Sequence, residues 1–211
     1  MLEIEAAEVR SHRVVAAFSY WFEAFDQSAR VDVFLPFDNA RWDGLLSGSP
    51  ASVTRQALED PCVRLSMNLY GAPPLDQEAF AKHYANRSSS TVAGVALGVM
   101  LPLRQYDGQK LLNIGQNRFV FRPQAGVVHT RRAWSYELTG SSFLYTVNDE
   151  FFGGNQLEQA PLNALQGHVV RSFPNRWWVS VRGGYSKGGE TTVNGIAKDD
   201  DRSYVLSAFS F

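Results

Sequence analysis

Apolar and polar residues alternate with a period of two along most of this chain. In one segment Val63, Leu65 and Met67 alternate with Arg64 and Ser66, and similar runs recur throughout the sequence. This period is typical of β-strands with one apolar and one polar face. The pattern predicts an all-β protein with about nine strands, at Val14–Phe22, Ala29–Pro36, Cys62–Leu69, Thr91–Leu103, Asn117–Thr130, Ala133–Thr146, Ala164–Phe173, Trp177–Gly188 and Arg202–Phe211.

One stretch, Leu75–Tyr84, favours a helix instead. Pro73 and Pro74 precede it, as suits a helix start, and Glu78 lies in its first turns. We therefore expect one short helix within a connection between two strands.

Alternating strands fit two architectures: a soluble β-sandwich with apolar side chains inward, or an antiparallel up-and-down transmembrane β-barrel with apolar side chains facing lipid. Predicted strands of ten or more residues suit the barrel, because that length crosses a bilayer. Aromatic residues also lie near predicted strand ends, where barrels place their aromatic girdles. These residues are Trp21, Phe22, Phe34, Trp134, Tyr145, Phe173, Trp177 and Trp178.

Connection lengths give a second argument for the barrel, since outer-membrane barrels alternate short periplasmic turns with long outer loops. The exception is Tyr70–Ser90, a long connection on the periplasmic side that holds the predicted helix. The short connections are Glu23–Ser28, Arg131–Arg132 and Pro174–Arg176, and the long ones are Phe37–Pro61, Arg104–Gln116, Val147–Asn163 and Gly189–Asp201.

The first predicted strand runs from the outside inward, whereas single-chain bacterial barrels keep both termini in the periplasm and have an even strand number. The acidic start, Met1–Glu5, also lacks the basic and apolar regions of a secretory signal. We therefore expect residues 1–211 to be a single barrel domain that lacks at least one strand and a signal peptide before Met1.

Charge and cysteine content argue against several classes of protein. The chain has 211 residues, with 20 basic and 21 acidic side chains and a formal net charge of -1, which argues against a nucleic-acid-binding protein. Cys62 is the only cysteine, so an internal disulfide is excluded, and its spacing to the four histidines matches no zinc motif. We expect no cofactor and no metal ion.

Four runs carry unusual loop motifs in order: SARVDVFLP at 28–36, LLNIGQNR at 111–118, NDEFFGGN at 148–155 continuing to QGH at 166–168, and GYSKGGETTV at 184–193. With these runs the chain resembles the MetA-pathway phenol-degradation family, whose members are outer-membrane β-barrels regarded as transporter-like. The resemblance covers nearly all of Val14–Asp201. It implies a barrel of about 12 strands, with about two strands beyond Phe211, and so a domain that is incomplete at both ends.

The resemblance also implies a location and partners. Members of such a family lie in the bacterial outer membrane, so we expect contact with outer-membrane lipid and lipopolysaccharide, assembly by the barrel-assembly machinery, and a small-molecule solute. We expect passive, porin-like uptake of small compounds of aromatic or hydrophobic character, with phenol degradation as the pathway context.

In such a barrel, polar strand residues line the lumen and decide what passes. Five arginines against two carboxylates predict a mildly electropositive lumen that favours anions or polarised aromatic solutes. Alternatively, these charges pair across neighbouring strands and fill a narrow barrel. The lumen-lining candidates are Arg30, Asp32, Arg64, Arg118, Arg122, Gln124, Glu137, Gln166, His168 and Arg182.

Acidic residues in the predicted outer loops form a second candidate group, Asp149, Glu150, Asp199, Asp200 and Asp201. Carboxylates of this kind bind divalent cations or bridge to lipopolysaccharide through one, but their spacing matches no defined calcium loop. We expect them to be solvated loop residues.

No G-x-S-x-G run supports a nucleophile, and we expect no catalytic residue and no enzymatic activity. Two alternatives to the uptake channel stay open. One is a plugged barrel that serves as a structural or surface-recognition protein, and the other is a soluble β-sandwich binding module.

Overall fold

A computed structural model describes residues 4–46, 48–72, 88–103, 106–175 and 177–210. Its regular elements are β-strands, and every strand pair is antiparallel. The predicted all-β antiparallel fold is therefore confirmed. The predicted helix at Leu75–Tyr84 lies outside the described residues. In the described ranges, no helix is long and apolar enough to span a membrane.

Ten strands form one large sheet, which is bent into a half-barrel. Nine of them pair in the order in which they follow along the chain, so the sheet is a meander with the first and last of these strands at its two ends. These nine are β1 (Ile4–Ala24), β2 (Gln27–Leu46), β4 (Cys62–Tyr70), β5 (Ser89–Met100), β6 (Val120–Arg131), β7 (Trp134–Tyr145), β10 (Leu162–Ser172), β11 (Trp178–Gly188) and β14 (Arg202–Ser210).

The tenth strand, β3 (Ser49–Leu58), pairs only with the second half of β2, where Leu58 lies opposite Phe37. A separate small sheet has four strands in the order β13-β12-β9-β8. Its strands are β8 (Asn148–Phe151), β9 (Asn155–Gln159), β12 (Thr191–Val193) and β13 (Ile196–Ala197). The small sheet therefore belongs to the end of the molecule where the long connections lie.

The nine predicted strands correspond to the nine strands of the meander, but three predicted long loops are wrong. Phe37–Pro61 contains the second half of β2 and all of β3, Val147–Asn163 contains β8 and β9, and Gly189–Asp201 contains β12 and β13. The strands β8, β9, β12 and β13 are too short to show a period, and the second half of β2 and β3 are rich in polar residues, although burial alternates along β3. They form strands because adjacent segments pair with their backbones as hairpins, and because β9 also pairs with β12.

The turn between β1 and β2 shows how tight the short connections are. Phe25 and Asp26 have φ values of 53° and 57°. Positive φ at both central residues is the hallmark of a type I′ turn, whose twist matches that of the flanking strands. The turn therefore fixes the register in which Ala24 pairs with Gln27 and Ser19 pairs with Asp32.

One face of the large sheet is apolar and uncovered. The large aliphatic side chains at its middle are between 46% and 75% exposed. Among the described residues, no second layer packs against this face, so the soluble β-sandwich predicted as an alternative does not form. The side chains concerned are Leu65, Leu97, Leu138, Leu165, Val181 and Val205. We call this the apolar face.

One group of buried residues lies at the long-loop end of the half-barrel. Val120 and Leu162 are buried there, together with the polar residues Arg118 and Asn148. This small core joins the ends of β6 and β10 to the strands of the small sheet. It therefore positions the outer connections over one end of the large sheet.

Candidate functional site

Strand register places nine of the ten lumen-lining candidates on one face of the large sheet. Asp32 lies opposite Arg64, and Glu137 lies opposite His168, which in turn lies opposite Arg182. Directly paired residues of antiparallel strands point to the same side. By the same register, the candidates on this side of the sheet are Arg30, Asp32, Arg64, Arg122, Gln124, Glu137, Gln166, His168 and Arg182. We call this side the polar face.

Asp32 links three neighbouring strands on the polar face. Its carboxylate is 1% exposed and accepts a hydrogen bond of 2.6 Å from Ser19 Oγ of β1. Arg64 Nη2 of β4 lies 2.8 Å from Oδ2, and Arg30 Nε of β2 lies 3.0 Å from Oδ1. One buried carboxylate therefore balances two arginines, and the local charge remains positive.

The tenth candidate, Arg118, lies just before β6 at the long-loop end. Its side chain is buried, at 7% exposure, and donates to Gln116 Oε1 and to Gln159 Oε1 of β9. Both partners are neutral amides. Within the described ranges, the buried Nη1 atom has no hydrogen-bond partner. Arg118 therefore joins the polar face to the small sheet without a carboxylate to balance its charge among the described residues.

Four arginines of the polar face each lie over an aromatic ring. The distances from the guanidinium carbon to the ring centre range from 4.6 to 5.5 Å, which is within the range of cation–π attraction. The pairs are Arg30 with Trp21, Arg64 with Phe34, Arg118 with Tyr145, and Arg122 with Phe143.

These pairs correct part of the predicted aromatic girdle. Trp21, Phe34 and Tyr145 contact polar-face arginines instead of facing outward. Their position near strand ends led to the girdle prediction, but the end of a strand does not reveal the face. Phe143 carried no signal in the sequence, because its partner Arg122 lies on another strand.

A second charged group lies further along the polar face. His168 Nδ1 lies 3.5 Å from Glu137 Oε2, and Thr139 donates a hydrogen bond of 3.4 Å to Glu137 Oε1. Arg182 lies opposite His168 on the neighbouring strand. The Glu137 carboxylate is thus also engaged by its neighbours.

Sequence reasoning missed further arginines on this side of the sheet, among them Arg13, which lies opposite Asp38, and Arg202. Arg202 begins β14 and lies opposite Gly188, which places it on the same side as Ser186 and Arg182. It also interacts electrostatically with Arg118. Apolar residues occur on both sides of β14, so alternation did not assign a face to this strand.

The outer connections are held together by one buried amide, Asn148, which is 1% exposed. Its Nδ2 donates to Tyr106 Oη at 3.1 Å and to the Gln116 carbonyl at 3.2 Å. Its Oδ1 accepts from Asn117 Nδ2 and from the Glu150 backbone N–H, both at 3.1 Å. Two connections are therefore pinned to each other close to Arg118.

The acidic loop candidates lie apart. Asp149 and Glu150 belong to β8, whereas Asp199, Asp200 and Asp201 follow β13, at the other end of the small sheet. Asp149 accepts a hydrogen bond from Gln156 and Glu150 accepts one from Asn117. Within the described part of the chain, no group of three or more His, Cys, Asp or Glu side chains could hold a metal ion.

Two loop carboxylates have lowered pKa values. The Lys110 ammonium and the Gln109 backbone N–H lower the pKa of Asp107. Burial raises the pKa of Asp200, but hydrogen bonds from the Thr191 backbone N–H and Oγ1, at 2.6 and 2.7 Å, outweigh it and lower the pKa below 3.8. Asp200 therefore ties the connection before β14 to β12 as a carboxylate.

We expect acid to loosen this part of the small sheet. Because the folded-state pKa of Asp200 is lowered, its contribution to stability is complete well above 3.8, the pKa of the free group, and is lost as the pH falls through the lower folded-state value. Hydrogen-exchange protection at Thr191–Val193 should therefore start to fall below about pH 5 and keep falling as the pH passes the folded-state pKa, after correction for intrinsic exchange. D200N should remove this dependence and D201N should keep it. An unchanged acid response in D200N would contradict the assignment.

Among solved structures, the chain is similar to an outer membrane channel from Pseudomonas putida F1, with 20% sequence identity and a TM-score of 0.74. The similarity covers 93% of this chain and 68% of that chain. It shows that the two proteins share a fold. No curated protein matches the chain in sequence.

A family model described as "Putative MetA-pathway of phenol degradation" matches residues 6–211. The match includes all ten predicted lumen-lining residues and every strand from β2 to β14. It confirms the resemblance found in the four loop runs. The chain belongs to the MetA-pathway phenol-degradation family.

Proposed function

We propose that this chain forms wall strands of a bacterial outer-membrane β-barrel channel, through which small compounds of aromatic or hydrophobic character pass by diffusion. The observation that carries the proposal is the division of one long antiparallel sheet into an uncovered apolar face and a polar face rich in arginine. The structural neighbour supports it, since that protein is an outer membrane channel.

Strand lengths support a membrane-spanning wall. A tilted membrane strand needs about 9–11 residues. Cys62–Tyr70 has 9 residues and Trp178–Gly188 has 11. The 21 residues of β1 and the 20 residues of β2 exceed this length, and β3 pairs with the excess part of β2. The first hairpin would therefore project beyond the bilayer on the side of the long connections.

Aromatic pairs on the apolar face mark two levels along the strands. Phe119 and Phe121 stack at the long-loop end, and Trp134 and Tyr136 stack at the short-turn end. Along β6 the two pairs are separated by about 27 to 40 Å of strand. With a strand tilt of about 40°, this spacing brackets an apolar band about 25 Å tall. We assign the pairs to the two membrane interfaces.

The partners of the proposed channel follow from this placement. The apolar face would contact outer-membrane lipid, and the projecting hairpin and small sheet would lie among the lipopolysaccharide head groups. Insertion would need the barrel-assembly machinery. The polar face would meet the solute, and the connections pinned by Asn148 would narrow the outer entrance. No catalytic step is part of this proposal.

A plugged barrel is the second candidate, favoured by the Asp32 network. This network joins β1, β2 and β4 by side chains that extend across the polar face. Such contacts fill space inside a barrel of about 12 strands. The protein would then act through its outer loops as a structural or surface-recognition barrel.

Conductance of the full-length protein in planar lipid bilayers separates the two candidates. We expect discrete current steps, together with a change in gel mobility on boiling that shows a folded barrel. A boiling-sensitive barrel without current steps would favour the plugged barrel. A protein that shows no mobility shift and stays in solution without detergent would overturn both proposals.

A further inference from the structure

We propose that Arg118 and Arg122 form a two-step anion pathway at the outer end of the polar face, and that this pathway takes the carboxylate group of small aromatic acids. The inference rests on the proposed channel and deepens it, because it names the class of solute and the residues that would bind it.

The first step is Arg118, whose charge is buried without an acidic partner among the described residues. The residue is 7% exposed, and the side chains that accept its hydrogen bonds are the amides of Gln116 and Gln159. In the described part of the chain, its buried Nη1 has no hydrogen-bond partner. A buried guanidinium is costly unless an anion and further acceptors meet it. A carboxylate that enters beside Nη1 would supply both.

The second step is Arg122, which lies on β6 four residues after Arg118. Two residues of extended strand cover about 6.6 Å, so the Cα atoms of the two arginines are at most about 13 Å apart. Among the residues that the structure describes, the buried Arg122 Nε has no hydrogen-bond partner, and Arg122 Nη2 donates a long bond of 3.5 Å to Ser141 Oγ. It therefore also keeps donors free for an anion.

The surroundings of both steps are cationic. Arg118 interacts electrostatically with Arg202, and Arg122 interacts with Arg64. The carboxylate of Asp32 is already shared by Arg30 and Arg64. The potential along Arg118 and Arg122 is thus positive, which draws anions toward this end of the polar face.

The aromatic rings beside the two arginines favour anions that carry an aromatic group. Tyr145 lies against Arg118 and Phe143 lies against Arg122, each with the guanidinium carbon 4.6 Å from the ring centre. These rings hold the planar guanidinium groups in orientation and offer an apolar surface beside each one. A carboxylate matches the fork of N–H donors, and an attached aromatic ring matches the apolar surface.

The distance between Arg118 and Arg122 allows a solute to move from one site to the next. Conduction requires sites that bind strongly enough to attract a solute but that are numerous enough to release it. Two sites within about 13 Å of each other meet this requirement, because an aromatic acid leaving Arg118 would meet Arg122 before it reaches the Asp32 network. We therefore expect selectivity for anions over cations.

The test uses the full-length protein in planar bilayers with a KCl gradient and with added benzoate, benzyl alcohol or benzylamine. We expect a reversal potential of the sign for chloride selectivity and a current that benzoate blocks, with little effect of the other two compounds. R118Q should weaken the benzoate block about tenfold, as loss of a charged hydrogen bond does, and R122Q should do the same.

Arg171 provides the matched control. It lies over Trp134 and Phe173, so it makes the same kind of arginine–aromatic contact, but on the apolar face. R171Q should leave the selectivity and the benzoate block unchanged. A benzoate block of equal strength in R118Q, R171Q and the parent protein would overturn the inference while the channel itself stands. Absence of any current would instead reject the proposed channel.

The single thiol gives a readout that needs no arginine variant. Cys62 lies on the polar face, opposite Phe34 and Met100 on its neighbouring strands. In the folded parent protein, a negatively charged methanethiosulfonate reagent should modify Cys62 faster than a positively charged one, and added benzoate should slow the negative reagent. Equal rates for the two reagents would contradict the anion pathway.

Discussion

Replacing Leu165 by arginine should destabilise the folded barrel by about 2–4 kcal/mol, whereas Gln166→Arg should change its stability by less than about 1 kcal/mol. The two residues are neighbours on β10 but lie on opposite faces of the sheet. Leu165 is 54% exposed on the apolar face, where a guanidinium would meet lipid. Gln166 lies on the polar face, where arginine would enter water.

This pair of variants tests the effect of the sheet face alone. Both variants introduce arginine into the same strand, at almost the same depth in the membrane. The measurement is urea unfolding of the full-length protein in lipid vesicles, followed by the mobility difference between boiled and unboiled samples. Equal stability of L165R and Q166R would show that the apolar face does not contact lipid. A larger loss in Q166R would mean that the assignment of the faces is reversed.

Replacing Asp32 by alanine should cost about 2–3 kcal/mol of stability. Breaking a buried ion pair costs about 3–5 kcal/mol when the remaining charge is fully buried. Here the side chains of Arg30 and Arg64 keep 36% and 29% of their surface exposed, so water recovers part of the loss. The hydrogen bond from Ser19 Oγ is lost as well, which adds to the cost.

Two further variants separate charge from packing at this position. S19A removes a single hydrogen bond and should cost about 1 kcal/mol. D32N keeps an acceptor of similar size but removes the charge, so it should be intermediate in stability. In bilayers, both Asp32 variants should increase chloride selectivity, because two arginines then lack their carboxylate. If D32A is as stable as the parent protein, the network does not hold the strands together.

The strands of the wall could be predicted from the sequence because their signal is local. Period-two alternation in a segment such as Cys62–Tyr70 reports a strand and two faces without any knowledge of its partners. The same alternation brought nine of the ten predicted polar residues onto one face, and Arg118 joins them through its contact with Tyr145. The loop runs were distinctive enough to reveal the family.

The remaining strands could not be predicted, because their alternation is weak or too short to detect. The second half of β2 and the strand β3 pair with each other as a hairpin. The strands β8, β9, β12 and β13 are two to five residues long and form two hairpins, which β9 and β12 join. Strand formation there depends on backbone pairing between segments, which the period of a single segment does not report.

For the candidate site, the sequence by itself determined which residue types face together: arginines, amides and a few acids on one side, and aliphatic residues on the other. The tertiary structure alone decided which acid balances which arginine, which rings lie against them, and that Arg118 is buried beside neutral amides. The physical reason is that alternation is a property of one strand. Contacts between side chains depend on the register and curvature that bring separate strands together.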